Sequence, residues 1–368
     1  MKNQKHLLRT VVGLVALAMM LNLSIAAVAK GAESSQKKVI KLALGCGKPM
    51  EGGKIWTIVR DIFAAEVSKR VEERTNYKIE WNIAFGGTIA KDGEELEATE
   101  MGLLDLGYVV LLFEPSKLFL HTFGYWVPFS SPDEVSVNKI AVKIFKEFPE
   151  FDKQVEKYNQ KFLAVVSTQS YQIITTFPVK TLGDLKGRKI GAGGINLQTL
   201  PPIGAVPVQS PIGEGYTSLQ AGVYDGYMIL ESIMAALKWP QVAPYVTLID
   251  LGAVPAIILT INTNLWNKLP KEIRNIMQEA ASVFMDKGMK ELAADVQMSR
   301  EKVKQLGGKI TTLDPIERQR WVNALPEMPG KNAEEADAKG MPGSKVIKRY
   351  IEMQKAAGYS FPRDWKVK

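Results

Sequence analysis

Cysteine and histidine are nearly absent from these 368 residues: Cys46 is the one cysteine, and the histidines are His6 and His121. A single thiol forms no internal disulfide. One Cys and two His cannot supply a His-rich zinc site or a cluster held by four thiolates. Serine triads and Cys–His pairs would all depend on His121. Its setting, LFLHTFGYW, reads as a structural histidine among aromatics. No metal and no cofactor is expected. Blocks of like charge are missing as well, so nothing tracks a nucleic acid backbone, and no nucleic acid partner is expected. After residue 30 no apolar run is long enough to cross a bilayer.

The chain does open on one apolar run. MKNQKHLLR carries Lys2, Lys5 and Arg9, and the acid-free stretch VVGLVALAMMLNLSIAAVA follows. Ala27 and Ala29 then stand in an A-x-A arrangement before Lys30. This is the layout of a secretory signal peptide over residues 1–29, cleaved near Ala29. A lone membrane anchor is the alternative, and the cleavage site argues against it. The net charge of +8 includes those three basic residues, which leaves about +5 for the exported chain. That mild excess is compatible with an acidic ligand and does not require one. Cys46 ends ALGC, which resembles a lipid-attachment box only loosely: Ala43 stands where Leu is usual, and Lys37, Lys38 and Lys41 separate it from the apolar run.

Downstream, strand-like and helix-like segments alternate. VIKLALG (39–45) is β-rich, and the next segment sets Ile55, Ile58, Val59, Ile62, Phe63, Val67 and Val71 on one helical face. YKIEWNIAF reads as a strand, EELEATEMG as a short helix and LDLGYVVLL as a strand. The alternation resumes with KFLAVVS, YQIITTFPVK, RKIGA, a helix from about Asn196 to Ile203, VPVQS, the helical GEGYTSLQAG and then DGYMIL. Such order predicts parallel sheets covered on both faces, in two α/β lobes with a cleft between them. From Lys271 to Leu306 the apolar spacing predicts one long helix, with Pro270 in its first turn, Gly307 at its stop and Gly288 as a candidate kink. MPGSKVIKRYIEMQKAAGY predicts a final amphipathic helix.

The stretch DLKGRKIGAGG (184–194) admits three readings. A dinucleotide turn needs G-x-G-x-x-G, and Asn196 stands where the third glycine belongs. A plain strand-to-helix turn would also use glycines. The third reading is a ligand turn, and it comes from a family resemblance.

The chain resembles the solute-binding proteins of tripartite ATP-independent periplasmic (TRAP) transporters over most of its exported length. FGGTIAKDGEELEATEMGLLDLG, VPFSSPDE, TLGDLKGRKI, GEGYTSLQAGVYDG and NLWNKLPKEIRNIMQEA match the family's blocks in order and spacing. The resemblance implies an α/β fold of two lobes, 38–168 with 255–295 and 169–254 with 296–368, joined by crossing strands and a long helix spanning both. It implies no enzyme activity, but capture of a small organic acid in the periplasm and delivery to TRAP membrane permease subunits. The family's middle signature usually ends in an arginine that pairs with the solute carboxylate. Here that place is Gly191. A second basic contact of the family falls, by the same register, on Tyr171.

Arg188 is an odd number of residues from Gly191 and points to the other strand face. Backbone N–H groups of a helix after the glycines could hold an anion instead. Tyr108, Tyr171, Tyr227 and Asn196 are candidate donors, and Lys48 is a spare cation. The full set of candidate ligand-facing residues is Gly47, Phe85, Tyr108, Val110, Tyr171, Gly191, Gly193, Asn196, Ile212 and Tyr227. Without the arginine, the expected solute is a bulky or aromatic carboxylate. The competing class is a secreted carboxylate-dependent enzyme using Asp225 or Glu231.

Overall fold

The computed structural model describes residues 37–368, so the signal peptide expected over 1–29 lies outside the described residues. Two sheets organise the chain. The first has the order β2-β1-β3-β10-β4, from Tyr77–Ala84, Lys38–Gly45, Leu106–Val110, Pro255–Asn262 and Gln160–Ser167. The second has the order β11-β9-β5-β8-β6-β7, from Lys309–Thr312, Tyr245–Leu248, Tyr171–Thr175, Gly226–Leu230, Lys189–Ala192 and Val206–Gln209. Among the described residues no helix is long and apolar enough to cross a membrane.

The sheets are mixed, which corrects the expectation of parallel ones. β1 runs parallel to β2 and β3, and β6 runs parallel to β7 and β8. β10, however, is antiparallel to β3 and β4, and β5 is antiparallel to β8 and β9. The cause is the seam between the lobes. β4 passes into β5 through Thr168, Gln169 and Ser170, while β9 returns to β10 through residues 249–254. The two crossings lie side by side in opposite directions. Thr168 N donates to Val254 O at 2.8 Å, and Leu251 N donates to Tyr171 O at 3.3 Å.

The third crossing is the long helix, Lys271–Gln305. At about 1.5 Å per residue it spans roughly 52 Å, and it packs on β4 in one lobe and on Glu231–Ala236 in the other. Arg300 grips Glu231 with two bonds, of 2.7 and 2.9 Å. Gln169 in the seam donates to Leu292 O at 3.0 Å. The helix runs unbroken through Gly288, whose missing side chain admits Ile58: a Cβ there would come within 3.3 Å of it. The expected kink site is a close-packing site.

The first helical face is as expected. Ile55, Ile58, Val59, Ile62, Phe63, Val67 and Val71 are all buried, along Lys54–Ile58, the π-helical Val59–Ala64 and Ala65–Arg74. In place of a helix at 196–203 there are two 3-10 turns, Gly194–Thr199 and Pro201–Ile203. Pro201 and Pro202 lack the N–H groups that an α-helix would use. The last helices, Met328–Ala338 and Gly343–Ala356, pack on each other and on Leu120–Trp126. Gly343–Ala356 also packs on Glu134–Glu147. They therefore sit on first-lobe elements, whereas the expected division put 296–368 in the second lobe.

Two buried titratable groups in the first lobe oppose each other in pH. His121 packs edge-on against the stacked rings of Phe145 and Phe151, with Nδ1 2.9 Å from Gln154 Oε1, and burial lowers its pKa from 6.5 to about 4. Glu114 is 1% exposed, and burial raises its pKa from 4.5 to about 7 despite Lys117 at 3.3 Å. Below pH 4.5 Glu114 is protonated whether folded or not, so it adds no penalty there. Its penalty grows as pH rises to about 7, where ionisation must occur in the fold. The His121 penalty runs the other way: absent above pH 6.5, it is complete below about 4. Each is on the order of 3 kcal/mol, since one pKa unit is about 1.4. Between pH 4.5 and 6.5 one grows as the other fades, so their pH slopes cancel while the summed cost stays at about 3 kcal/mol. Glu114→Gln is therefore expected to gain melting temperature over the wild type at pH 8 by several degrees more than at pH 4. A difference that is constant across that range rules the titration out.

Candidate functional site

The cleft between the sheets is nearly shut, with an interior volume of about 30 Å³. The first lobe contributes Lys48, Trp56, Val110, Leu112 and Phe113, with Ala256 and Ile257 of β10 behind them. The second contributes Gly193, Asn196, Ile212, Tyr227 to Leu230, and Ile233. Tyr125, Thr168 and Tyr171 stand at the seam. Most of this wall is apolar.

The lobes meet across it. The glycine turn of 193–194 abuts Leu112 and Phe113: a Cβ on Gly193 would sit 3.0 Å from Leu112 Cδ2, and one on Gly194 2.3 Å from Leu112 O. Gly194 has φ +46°, left-handed backbone that suits glycine. What the glycine turn holds is therefore the other lobe. Its N–H groups do not form the expected helical anion site. Gly194 N donates to Gln209 Oε1 at 3.0 Å, and a short 3-10 turn follows instead of an α-helix.

Six of the ten expected residues line this cleft: Val110, Tyr171, Gly193, Asn196, Ile212 and Tyr227. Four stand outside the lining. Gly47 lies against the loop before Glu95, donating its N–H to Glu95 Oε1 at 2.9 Å. Tyr108 donates to Ile55 O at 3.1 Å and turns its ring to Phe284 in the first-lobe core. Phe85 belongs to the same buried cluster. Gly191 lies beneath the ring of Tyr227, where a Cβ would be 2.4 Å from Cδ2.

Polar groups are few and specific. Lys48 is 2% exposed, ion-paired with Asp92, and its Nζ stands 4.5 Å from the centre of the Phe113 ring. It was read as a spare cation, and the structure gives it a counter-ion 44 residues away. The hydroxyls of Tyr125 and Tyr171 are 3.3 Å apart, and burial pushes both phenols up, so both remain neutral donors. Asn196 is buried, and its amide reaches the Tyr171 hydroxyl without a well-formed hydrogen bond from Nδ2. Tyr227 donates its hydroxyl to Ser210 O at 2.5 Å. Arg188 pairs with Asp225 at 3.4 Å, away from the cleft.

The two carboxylates of the enzymatic alternative are occupied elsewhere. Asp225 accepts from Lys189 N at 2.8 Å in a turn, and Glu231 is held by Arg300. Neither lines the cleft. The arrangement can enclose an apolar body, face one anion with a cation and offer neutral donors.

Known proteins share this sequence pattern and this fold. The C4-dicarboxylate-binding periplasmic protein DctP of Vibrio cholerae is 26% identical over 271 residues, which cover 72% of this chain and 80% of that protein. A TRAP periplasmic solute-binding protein of Desulfovibrio salexigens superposes with a TM-score of 0.75 at 22% identity, over 87% of this chain and 98% of the other. A TRAP solute-binding protein of Rhodoferax ferrireducens, solved with copurified benzoate, also gives 0.75, at 15% identity over 87% and 98%. The family model for DctP, bacterial extracellular solute-binding protein, family 7, matches residues 60–335, and the chain belongs to that family, the solute-binding proteins of TRAP transporters.

Proposed function

We propose that this protein, exported by its first 29 residues, captures an organic acid with a bulky, apolar or aromatic body in the periplasm. It then delivers that solute unchanged to TRAP membrane permease subunits. One observation carries the reading of the solute: the cleft wall is apolar, and its one lysine is the buried Lys48. The proposed contacts are Val110, Tyr171, Gly193, Asn196, Ile212 and Tyr227, with Lys48 added. The benzoate that copurified with the Rhodoferax protein supports an aromatic acid, although the Vibrio protein is named for dicarboxylates. The moving bodies are 38–168 with 255–295, and 169–254 with the chain from 296 as far as the last two helices. On the packing described above, the helices Met328–Ala338 and Gly343–Ala356 travel with the first body.

Mass spectrometry of whatever leaves the purified protein on denaturation tests this. A carboxylic acid with an apolar body is expected. Added back at about a hundred times its dissociation constant, it should stabilise the fold by roughly 2.7 kcal/mol and make the scattering profile more compact. A sugar or an amine without a carboxylate overturns the reading. So does a solute that the protein consumes.

A further inference from the structure

The number of charges the cleft accepts can be read from its ion pair, given the organic-acid reading above. Lys48 follows Gly47, whose N–H is fixed on Glu95 Oε1, and Gly93 N donates to Glu95 Oε2 at 2.9 Å. One buried carboxylate thereby ties the end of β1 to the loop that carries Asp92. Asp92 is 31% exposed and does not line the cleft, while Lys48 is buried and does. The pair is neutral as a unit, with the cation on the solute side and the anion on the solvent side.

A first carboxylate entering the cleft meets the Lys48 ammonium, which has three donors. A second carboxylate meets none. The resemblance puts an arginine at Gly191, but the direction a side chain would take there is filled by Tyr227, whose hydroxyl is already committed to Ser210 O. What remains is neutral: the amide of Asn196, which makes only a loose contact with Tyr171, and the phenols of Tyr171 and Tyr125. These suit a hydroxyl or carbonyl oxygen. A second buried anion without a cation carries a desolvation penalty that they do not offset.

We infer that the cleft selects monocarboxylates, with the carboxylate held by Lys48 and a neutral acceptor held by Asn196, and that Asp92 caps the charge it tolerates at one. Lys48 and Asp92 then have opposite effects. Removing the lysine leaves a solute anion unpaired, whereas removing Asp92 frees the lysine from its counter-ion.

Calorimetric titration tests this with benzoate, 3-hydroxybenzoate, mandelate and pyroglutamate, the primary amide of each, and succinate and malate. At least one monocarboxylate should bind, its amide about 100-fold more weakly, and neither dicarboxylate measurably. Lys48→Met should weaken the bound acid about 100-fold, and Lys48→Arg should stay within about tenfold of wild type. Asp92→Asn should tighten it, which a purely structural role for the pair would not produce. Melting curves establish that each variant is folded; if Lys48→Met is not, Asp92→Asn decides alone. A dicarboxylate that binds tightest, a folded Lys48→Met with wild-type affinity, or Asp92→Asn that weakens binding overturns the inference and leaves the organic-acid reading standing. If every acid is inert and only amides bind, both fall.

Discussion

Gly191→Arg is expected to destabilise the protein and to abolish solute binding, although it restores the residue that the family resemblance places there. A Cβ on Gly191 would lie 2.4, 2.8 and 3.2 Å from three atoms of the Tyr227 ring. That ring is itself wedged between Tyr224 and Trp239, at centroid distances of 5.6 and 5.0 Å. It cannot tilt away without moving them. Gly191→Ala alone should cost about 1–3 kcal/mol, as overpacking does in a dense core. The arginine should cost more, because its guanidinium must also be buried beside neutral rings. Tyr227→Ala opens the space, so Gly191→Arg with Tyr227→Ala should be far more stable than the two separate losses would sum to. The double variant should also gain affinity for succinate, since its arginine reaches the cleft. Chemical denaturation of the four proteins measures the coupling. Strictly additive losses would show that Gly191 and Tyr227 do not compete for one space.

The second large effect is expected at Gly194, which adjoins the proposed contact Gly193 but faces Leu112 of the other lobe. Gly194→Val should lower solute affinity by about 30- to 150-fold, which corresponds to 2–3 kcal/mol removed from the closed state. The reason is contact between lobes: the added carbon would fall 2.3 Å from Leu112 O only when the cleft is shut. The variant also strains a backbone at φ +46°, and that cost applies open or closed. Gly187 separates the two effects. It has φ +76° and nothing within 4 Å of its would-be Cβ. Gly187→Val should therefore lose stability but keep its affinity. X-ray scattering should show Gly194→Val remaining extended at solute concentrations that compact the wild type. Equal affinity losses at Gly187 and Gly194 would mean that backbone strain, and not lobe contact, is responsible.

Much of this architecture was legible in short windows of sequence. The helical face from Ile55 to Val71, the strand ending at Gly45 and the long helix after Pro270 each follow from the spacing of apolar residues and from one breaker. That information is local, because periodicity and capping act within a few residues. The five family blocks set the order of elements, and the fold keeps it. The helix expected at 196–203 misjudged Pro201 and Pro202, whose missing donors limit the segment to 3-10 turns. The run Pro255–Asn262 is buried at every position, so alternation could not distinguish a strand there from a buried helical segment.

By itself the sequence determined most of the strands and helices, with 196–203 and 255–262 excepted, that histidine and thiol chemistry are scarce, and that Gly191 carries no cation. Only the tertiary structure decided what those facts do. It ran two strands across the seam in opposite directions, which made both sheets mixed. It set Tyr227 over Gly191, pressed Gly194 against Leu112, and brought Asp92 to Lys48 across 44 residues of chain. Each of these is a contact between residues far apart in sequence, fixed by how two lobes close on each other. Local periodicity carries no record of such pairings, because a side chain's helix or strand preference is the same whichever distant partner it meets.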